Sequence, residues 1–110
     1  MNPKMNTLMS SALQVFEPRT DVLYNLDTTA HLTGAPRRSI LIYCRWGMVH
    51  PAVDESYGGW YFDAAAIRAL RRIEYLRAVQ GINFAGIRMI MALLDQVERL
   101  EQESRSRLGG

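Results

Sequence analysis

Apolar positions in this 110-residue chain fall into blocks whose spacing changes along its length. Residues 1–21 show no periodicity. A short apolar patch (Leu8, Met9, Ala12, Leu13) is broken by Thr7, Ser10, Ser11 and Gln14, and Glu17-Pro18-Arg19 interrupts any helix. This stretch reads as a flexible N-terminal arm. Order is predicted to begin at the extended run Val22-Leu23-Tyr24. Asn25 is an N-cap type, and Asp27 falls in the first turn, where the helix dipole favours a carboxylate. A helix is predicted from Leu26 to about Leu32, with Leu26, Thr29 and Ala30 inward. Gly34 ends it, because glycine accepts the left-handed backbone of a helix stop. A second helix is predicted from Pro36, a residue favoured at the first helical position, to Gly47. Its apolar face is Ile40, Tyr43 and Cys44, at i, i+3, i+4 spacing. Two short helices joined by a glycine-containing turn form a helix-turn-helix candidate.

Met48 to Val53 reads as extended, Asp54 to Gly59 as a polar turn and Trp60-Tyr61-Phe62 as a strand. Together they predict a small hairpin, or wing. Asp63 is placed to cap a third helix, Ala64 to about Gln80, with Ile67, Leu70, Ile73, Leu76 and Val79 as its stripe and Arg68, Arg71 and Arg72 away from it. Gly81 ends that helix, and Asn83 caps a fourth, running from Phe84 to about Arg107. Ile87, Ile90, Leu94, Val97 and Leu100 or Glu101 follow 3/4 spacing along it, with Met89, Met91 and Leu93 widening the stripe and alternating charge beyond residue 97 as on a coiled-coil flank. A long amphipathic helix leaving a small domain cannot bury its stripe alone, so a partner helix is expected. The predicted organisation is thus an arm over 1–21, a winged head over 22–80 and a dimerisation helix with a short tail over 81–110. The fold class is mainly α.

Composition narrows the chemistry. With 48% hydrophobic residues the chain is a folding sequence, and its length fits one small domain plus an extension. A single cysteine excludes an internal disulfide and a multi-thiolate metal site within one chain. Cys44 reads as a small core residue, and His31 and His50 have no ligand spacing with it, so no metal or cofactor is expected. No catalytic set of serine, histidine and acid emerges, and Gly58-Gly59 reads as a turn and not a phosphate loop; the chain reads as a non-enzyme. No run reaches the roughly 18 apolar residues of a membrane span, and no signal peptide is recognisable, so a cytoplasmic protein is expected. Net charge is only +2, yet it is unevenly placed: residues 63–90 carry +3 and the residues after 90 carry −1. Twelve of the thirteen basic residues are arginine, the side chain suited to forked phosphate contacts.

At this point the residues resemble a known family. Tyr24-Asn25-Leu26 through Ala30-His31-Leu32-Thr33-Gly34 is similar to the opening block of the MerR superfamily. Arg38-Ser39-Ile40, Tyr43, Arg45 and Gly47-Met48-Val49 with Pro51 resemble its second block, and Leu76-Arg77 followed by Gly81-Ile82-Asn83-Phe84-Ala85-Gly86-Ile87 its third. The third block resembles the heat-shock repressor (HspR) branch most. Trp60-Tyr61-Phe62-Asp63 and Leu93-Leu94-Asp95-Gln96-Val97 resemble instead the chaperone modulator (CbpM) branch. The resemblance covers about residues 22–103. It implies a MerR-like winged helix-turn-helix that dimerises through an antiparallel coiled coil of the last helix; with Gly110 soon after that helix, no effector domain is expected.

The leading expectation is a small transcriptional regulator that binds double-stranded DNA as a homodimer. Its second helix would enter the major groove, with Arg37, Arg38, Tyr43 and Arg45 on the DNA face and Arg68, Arg71 and Arg72 behind the wing. The same arginines are also consistent with solvated helix surfaces. Two departures point elsewhere: Leu41 and Ile42 stand where such DNA readers carry an Arg-Tyr pair, and Trp60 or Tyr61 stands where their wing carries an arginine. Apolar groups on an expected wet surface suggest a protein contact. The alternative expectation is therefore a modulator that binds a J-domain co-chaperone through Leu41, Ile42, Trp60 and Tyr61.

Overall fold

A computed structural model describes residues 17–53 and 58–109. The elements are β1 (Tyr24–Asn25), α1 (Leu26–Thr33), α2 (Arg37–Arg45), β2 (Tyr61–Phe62), α3 (Ala64–Ala78) and α4 (Phe84–Gly109). The expected arm lies mostly outside the described residues. Its last part is tied down: the Arg19 amide donates to the Tyr24 hydroxyl at 2.9 Å, and the Arg19 guanidinium meets Asp21 at 2.8 Å.

Side-chain caps start three of the four described helices, all but α2. Asn25 Oδ1 accepts from the Thr28 amide at 2.8 Å, Asp63 Oδ1 from the Ala66 amide at 2.9 Å and Asn83 Oδ1 from the Gly86 amide at 2.9 Å. Each satisfies one of the donors that a helix start leaves unpaired. The α1–α2 turn is closed by Gly34, at φ +76°, whose amide returns to the Ala30 carbonyl at 2.9 Å. Buried hydroxyls complete that turn: Thr33 Oγ1 donates to the Thr29 carbonyl at 2.7 Å and accepts from the Ala35 amide at 3.2 Å.

The core lies where α1, α2, β2, α3 and the first turns of α4 meet. Ile40, Phe62, Leu70 and Ile73 are completely buried there, with Val49, Ile87 and Met91 beside them. Helix α1 is the hub, packing on α2, α3 and both strands.

On α1 the three residues expected to face inward do so: Thr29 is fully buried, and Leu26 and Ala30 pack half-buried against the core. Three expectations are corrected. The strand pairing differs from a simple wing: β2 pairs antiparallel with β1, Tyr24 opposite Phe62 and Asn25 opposite Tyr61. Among the described residues the expected partner segment joins through a bridge between Val53 and Tyr61, with the Tyr61 amide donating to the Val53 carbonyl at 2.9 Å; residues 54–57 of the expected turn lie outside the described residues. Helix α3 ends at Ala78, and Val79 is exposed, so its stripe stops at the half-buried Leu76.

The third correction concerns α4, which carries two apolar faces. Ile87, Met91 and Leu94 pack on the chain's own core. Leu93, Val97 and Leu100 are 54%, 47% and 62% exposed, and Ile90 is half-buried. Ile90, Leu93, Val97 and Leu100 follow 3-4-3 spacing, the a/d period of a coiled-coil seam. The single stripe expected from sequence merges these faces: Ile87 and Leu94 belong to the core, and Leu93 belongs to the outward seam.

Candidate nucleic-acid interface

Helix α2 presents one face to the core and the other to solvent. Ile40 and Tyr43 point inward and Cys44 is half-buried; burial pushes the Cys44 thiol up to about 11, as expected when the charged form loses water. The outward face carries Arg38, Ile42 and Arg45, spaced 4 and 3 apart and all exposed, with Leu41 half-buried at its edge. Arg38 and Arg45 make no ion pair or hydrogen bond among the described residues, so their donors face water. Arg37 is already engaged: its Nε lies 3.0 Å from Asp27 Oδ1, a surface pair of small energetic weight.

Tyr43 does not belong to this face. It is 5% exposed, its ring stacks on Phe84 with centroids 6.4 Å apart, and desolvation raises its hydroxyl pKa, with the Glu74 carboxylate adding to the effect. A ring so placed braces α2 against α4 and has no free edge for a phosphate. Trp46, just past α2, is 51% exposed and meets Phe84 edge-on at 6.2 Å.

The arginines of α3 fall into different settings. Arg68 and Arg72 are exposed and line a cleft of about 400 Å³ between α3 and α4, with Asp95 and Glu98 on its opposite bank. Arg71 is half-buried and engaged within the chain. The fourth arginine of the helix, Arg77, gives Nε and Nη2 to Glu74 Oε2 at 2.9 and 2.7 Å, and that hydrogen bond raises its pKa first, with the carboxylate charge second. Glu74 Oε1 is buried without a partner. Arg68 and Arg72, like Arg38 and Arg45, make no ion pair or hydrogen bond among the described residues, so unengaged basic groups stand on both α2 and α3.

The apolar set splits in the same way. Ile42 is 40% exposed on α2 and Tyr61 is exposed on β2, while Trp60 is packed on the core and Leu41 is half-buried. Helix α2 rests on α1, whereas β2 packs on β1, α1 and α3, so these residues are carried by different elements that share α1 as support. Among the described residues no group of three His, Cys, Asp or Glu side chains is placed to share a metal ion, and no helix is long and apolar enough to cross a membrane.

Two helices set by a glycine turn, a short aromatic strand beside them, a basic outward face on the second helix and a long two-faced helix beyond define a winged helix-turn-helix protein of the regulatory type. Residues 24–94 match the family model described as MerR HTH family regulatory protein, and the chain belongs to that family. It is 35% identical over 80 residues to the heat shock protein HspR of Streptomyces coelicolor, covering 72% of this chain and 52% of that protein. It is 34% identical over 59 residues to the chaperone modulatory protein CbpM of Citrobacter koseri, covering 54% of this chain and 57% of that one. The chain thus spans little more than half the length of these curated relatives. Its family is one of regulatory proteins rather than enzymes.

Two features escaped the sequence reading. The division of α4 into two faces is one: Leu93 reads in sequence as widening a single stripe, because adjacent residues of the helix serve different faces. The Phe84 contacts with Tyr43 and Trp46 join distant segments, and no local signal marks them.

Proposed function

We propose that the protein is a cytoplasmic DNA-binding transcriptional regulator that works as a homodimer. The observation that carries this is the outward face of α2, where Arg38 and Arg45 hold unengaged donors on the second helix of a helix-turn-helix. In this reading α2 enters the major groove and Arg38 and Arg45 take phosphates or base edges, with Arg37 released from its weak surface pair. Residues 22–80 act as the DNA-binding head and residues 81–110 as the dimerisation helix. The seam Ile90, Leu93, Val97 and Leu100 meets the same seam of a second copy, antiparallel, and sets the distance between the two α2 helices.

The test is affinity for DNA against salt, using sequences selected from genomic DNA by the purified chain. Affinity should fall steeply and linearly on a log–log scale, and Arg38→Ala should weaken it and flatten the slope. No measurable binding at 100 mM salt would overturn the regulator reading.

A second reading is supported by the exposure of Ile42 and Tyr61 and by the similarity to the chaperone modulatory protein CbpM. There the chain binds a J-domain co-chaperone through Leu41, Ile42, Trp60 and Tyr61. Absent DNA binding, together with capture of a J-domain protein that Ile42→Asp abolishes, would select this reading.

A further inference from the structure

The guanidinium carbon of Arg88, in the second turn of α4, lies 4.4 Å from the centroid of the Trp46 ring. Trp46 in turn meets Phe84 edge-on at 6.2 Å, and Phe84 stacks on the buried Tyr43 at 6.4 Å and 18°. A side chain from α4 is thereby held over the residue that follows Arg45 at the end of α2. Among the described residues Arg88 makes no hydrogen bond and no ion pair, and the residue is exposed, so its N–H donors are open to solvent. This differs from Arg19, Arg37 and Arg77, each of which spends its donors on a carboxylate.

A free arginine on a surface helix samples many rotamers and loses them on binding; one stacked on an aromatic ring has already lost most of them. What remains is a planar, permanently charged fork with a fixed orientation, the geometry that a phosphate accepts in bidentate fashion. Its contact with Trp46, the residue that follows Arg45, puts a basic side chain of α4 against the C-terminal end of α2.

We propose that Arg88 is a DNA-phosphate contact and that Trp46 is its positioning residue. The contact adds a backbone clamp from the long helix to the face formed by Arg38 and Arg45. This rests on the DNA-binding reading above and adds to it a site outside the head's two helices. The clamp carries no sequence information. It fixes register, because it ties the start of α4 to the same backbone that α2 straddles.

The experiment measures anisotropy of a labelled duplex, recovered by genomic selection, bound by the full chain between 50 and 200 mM salt. Arg88→Ala is expected to reduce the log–log salt slope by about 0.9 per protomer. Arg88→Lys, which keeps the charge but not the fork, is expected to keep the slope and weaken affinity. Trp46→Leu is expected to keep the slope and weaken affinity roughly three- to tenfold, the loss of an ordered side chain. Arg105→Ala, in the tail of α4, serves as the charge control and should leave the slope unchanged. Circular dichroism checks that each variant is folded, and Arg88→Lys decides the matter should Arg88→Ala fail to fold. A wild-type slope in Arg88→Ala, or an equal loss in Arg105→Ala, overturns the contact. Wild-type affinity in Trp46→Leu overturns the positioning role. If the wild-type chain binds no DNA at all, the regulator reading itself has failed.

Discussion

The outward seam of α4 makes a quantitative demand. Fully burying a leucine side chain is worth about 1.5–3 kcal/mol. Leu93 is 54% exposed in the single chain, so about half of that, roughly 1 kcal/mol, is still to be gained on pairing. A symmetric dimer counts it twice, giving about 2 kcal/mol for Leu93 alone and about a thirtyfold change in dimer Kd for Leu93→Ala. Leu93→Asp removes the same gain and also buries an unpaired carboxylate in each copy, at no less than about 1 kcal/mol per group. The sum is about 4 kcal/mol, or roughly a thousandfold in Kd. Sedimentation equilibrium over a range of concentrations reads this directly. Ala92→Asp, exposed on another face of the same turn, adds the same charge without touching the seam and should leave the dimer intact. A Leu93→Asp dimer within threefold of wild type would refute the seam assignment. The result also separates the two faces of α4, because Leu94 packs on the chain's own core and Leu94→Asp should lower the unfolding midpoint of the protomer itself.

Other expectations follow from single contacts. Gly34 sits at φ +76° with open space around it, so Gly34→Ala should cost about 1 kcal/mol from backbone strain alone, read as a lower urea midpoint with an unchanged slope. Burial holds the Cys44 thiol near 11 against an ordinary 9, so the native protein should react with iodoacetamide about a hundredfold more slowly at pH 8 than the urea-unfolded chain. The sign of the linked stability follows: the folded state favours the neutral thiol, so this contribution is complete below the ordinary thiol range and is lost as pH rises from about 9 through about 11, which a pH series of thermal midpoints will show. Arg77→Ala strands the buried Glu74 carboxylate and should lower the thermal midpoint, and Glu74→Ala introduced into that variant should recover part of the loss, as a double-mutant cycle will measure.

The parts of the fold that were legible in sequence are those set by neighbours a few residues apart. Asn25, Asp63 and Asn83 announce their helices because the capping hydrogen bond spans three residues. Gly34, Gly47 and Gly81 mark stops because each takes a positive φ. The stripe Ile67, Leu70 and Ile73 was legible because α3 presents one face to one core. Pairing between β1 and β2 was not, since two-residue strands carry no period and their register depends on where the intervening helices fold. The placement of Tyr43 on the DNA face came from resemblance; at i+3 from Ile40 its position already implied the inward face, and burial decides for that spacing.

Helix α4 shows why the candidate site was only half legible. From Ile87 to Leu100 two apolar patterns are superposed, one facing the core through Ile87, Met91 and Leu94 and one facing outward through Ile90, Leu93, Val97 and Leu100. Read as a sequence they blend into one broad stripe, because adjacent apolar residues such as Leu93 and Leu94 give no hint of which face is already covered. Only the packing of α3 assigns them. The same anchoring has a physical consequence. Ile87 and Met91 fix α4 in the core, and Phe84 fixes its first turn to Tyr43 and Trp46 at α2. In a dimer formed through the outward seam, the distance between two α2 helices would be set by packed side chains along the whole route and not by a linker. That rigidity suits recognition of two half-sites at one spacing, since a connection without slack converts an error in spacing into lost contacts.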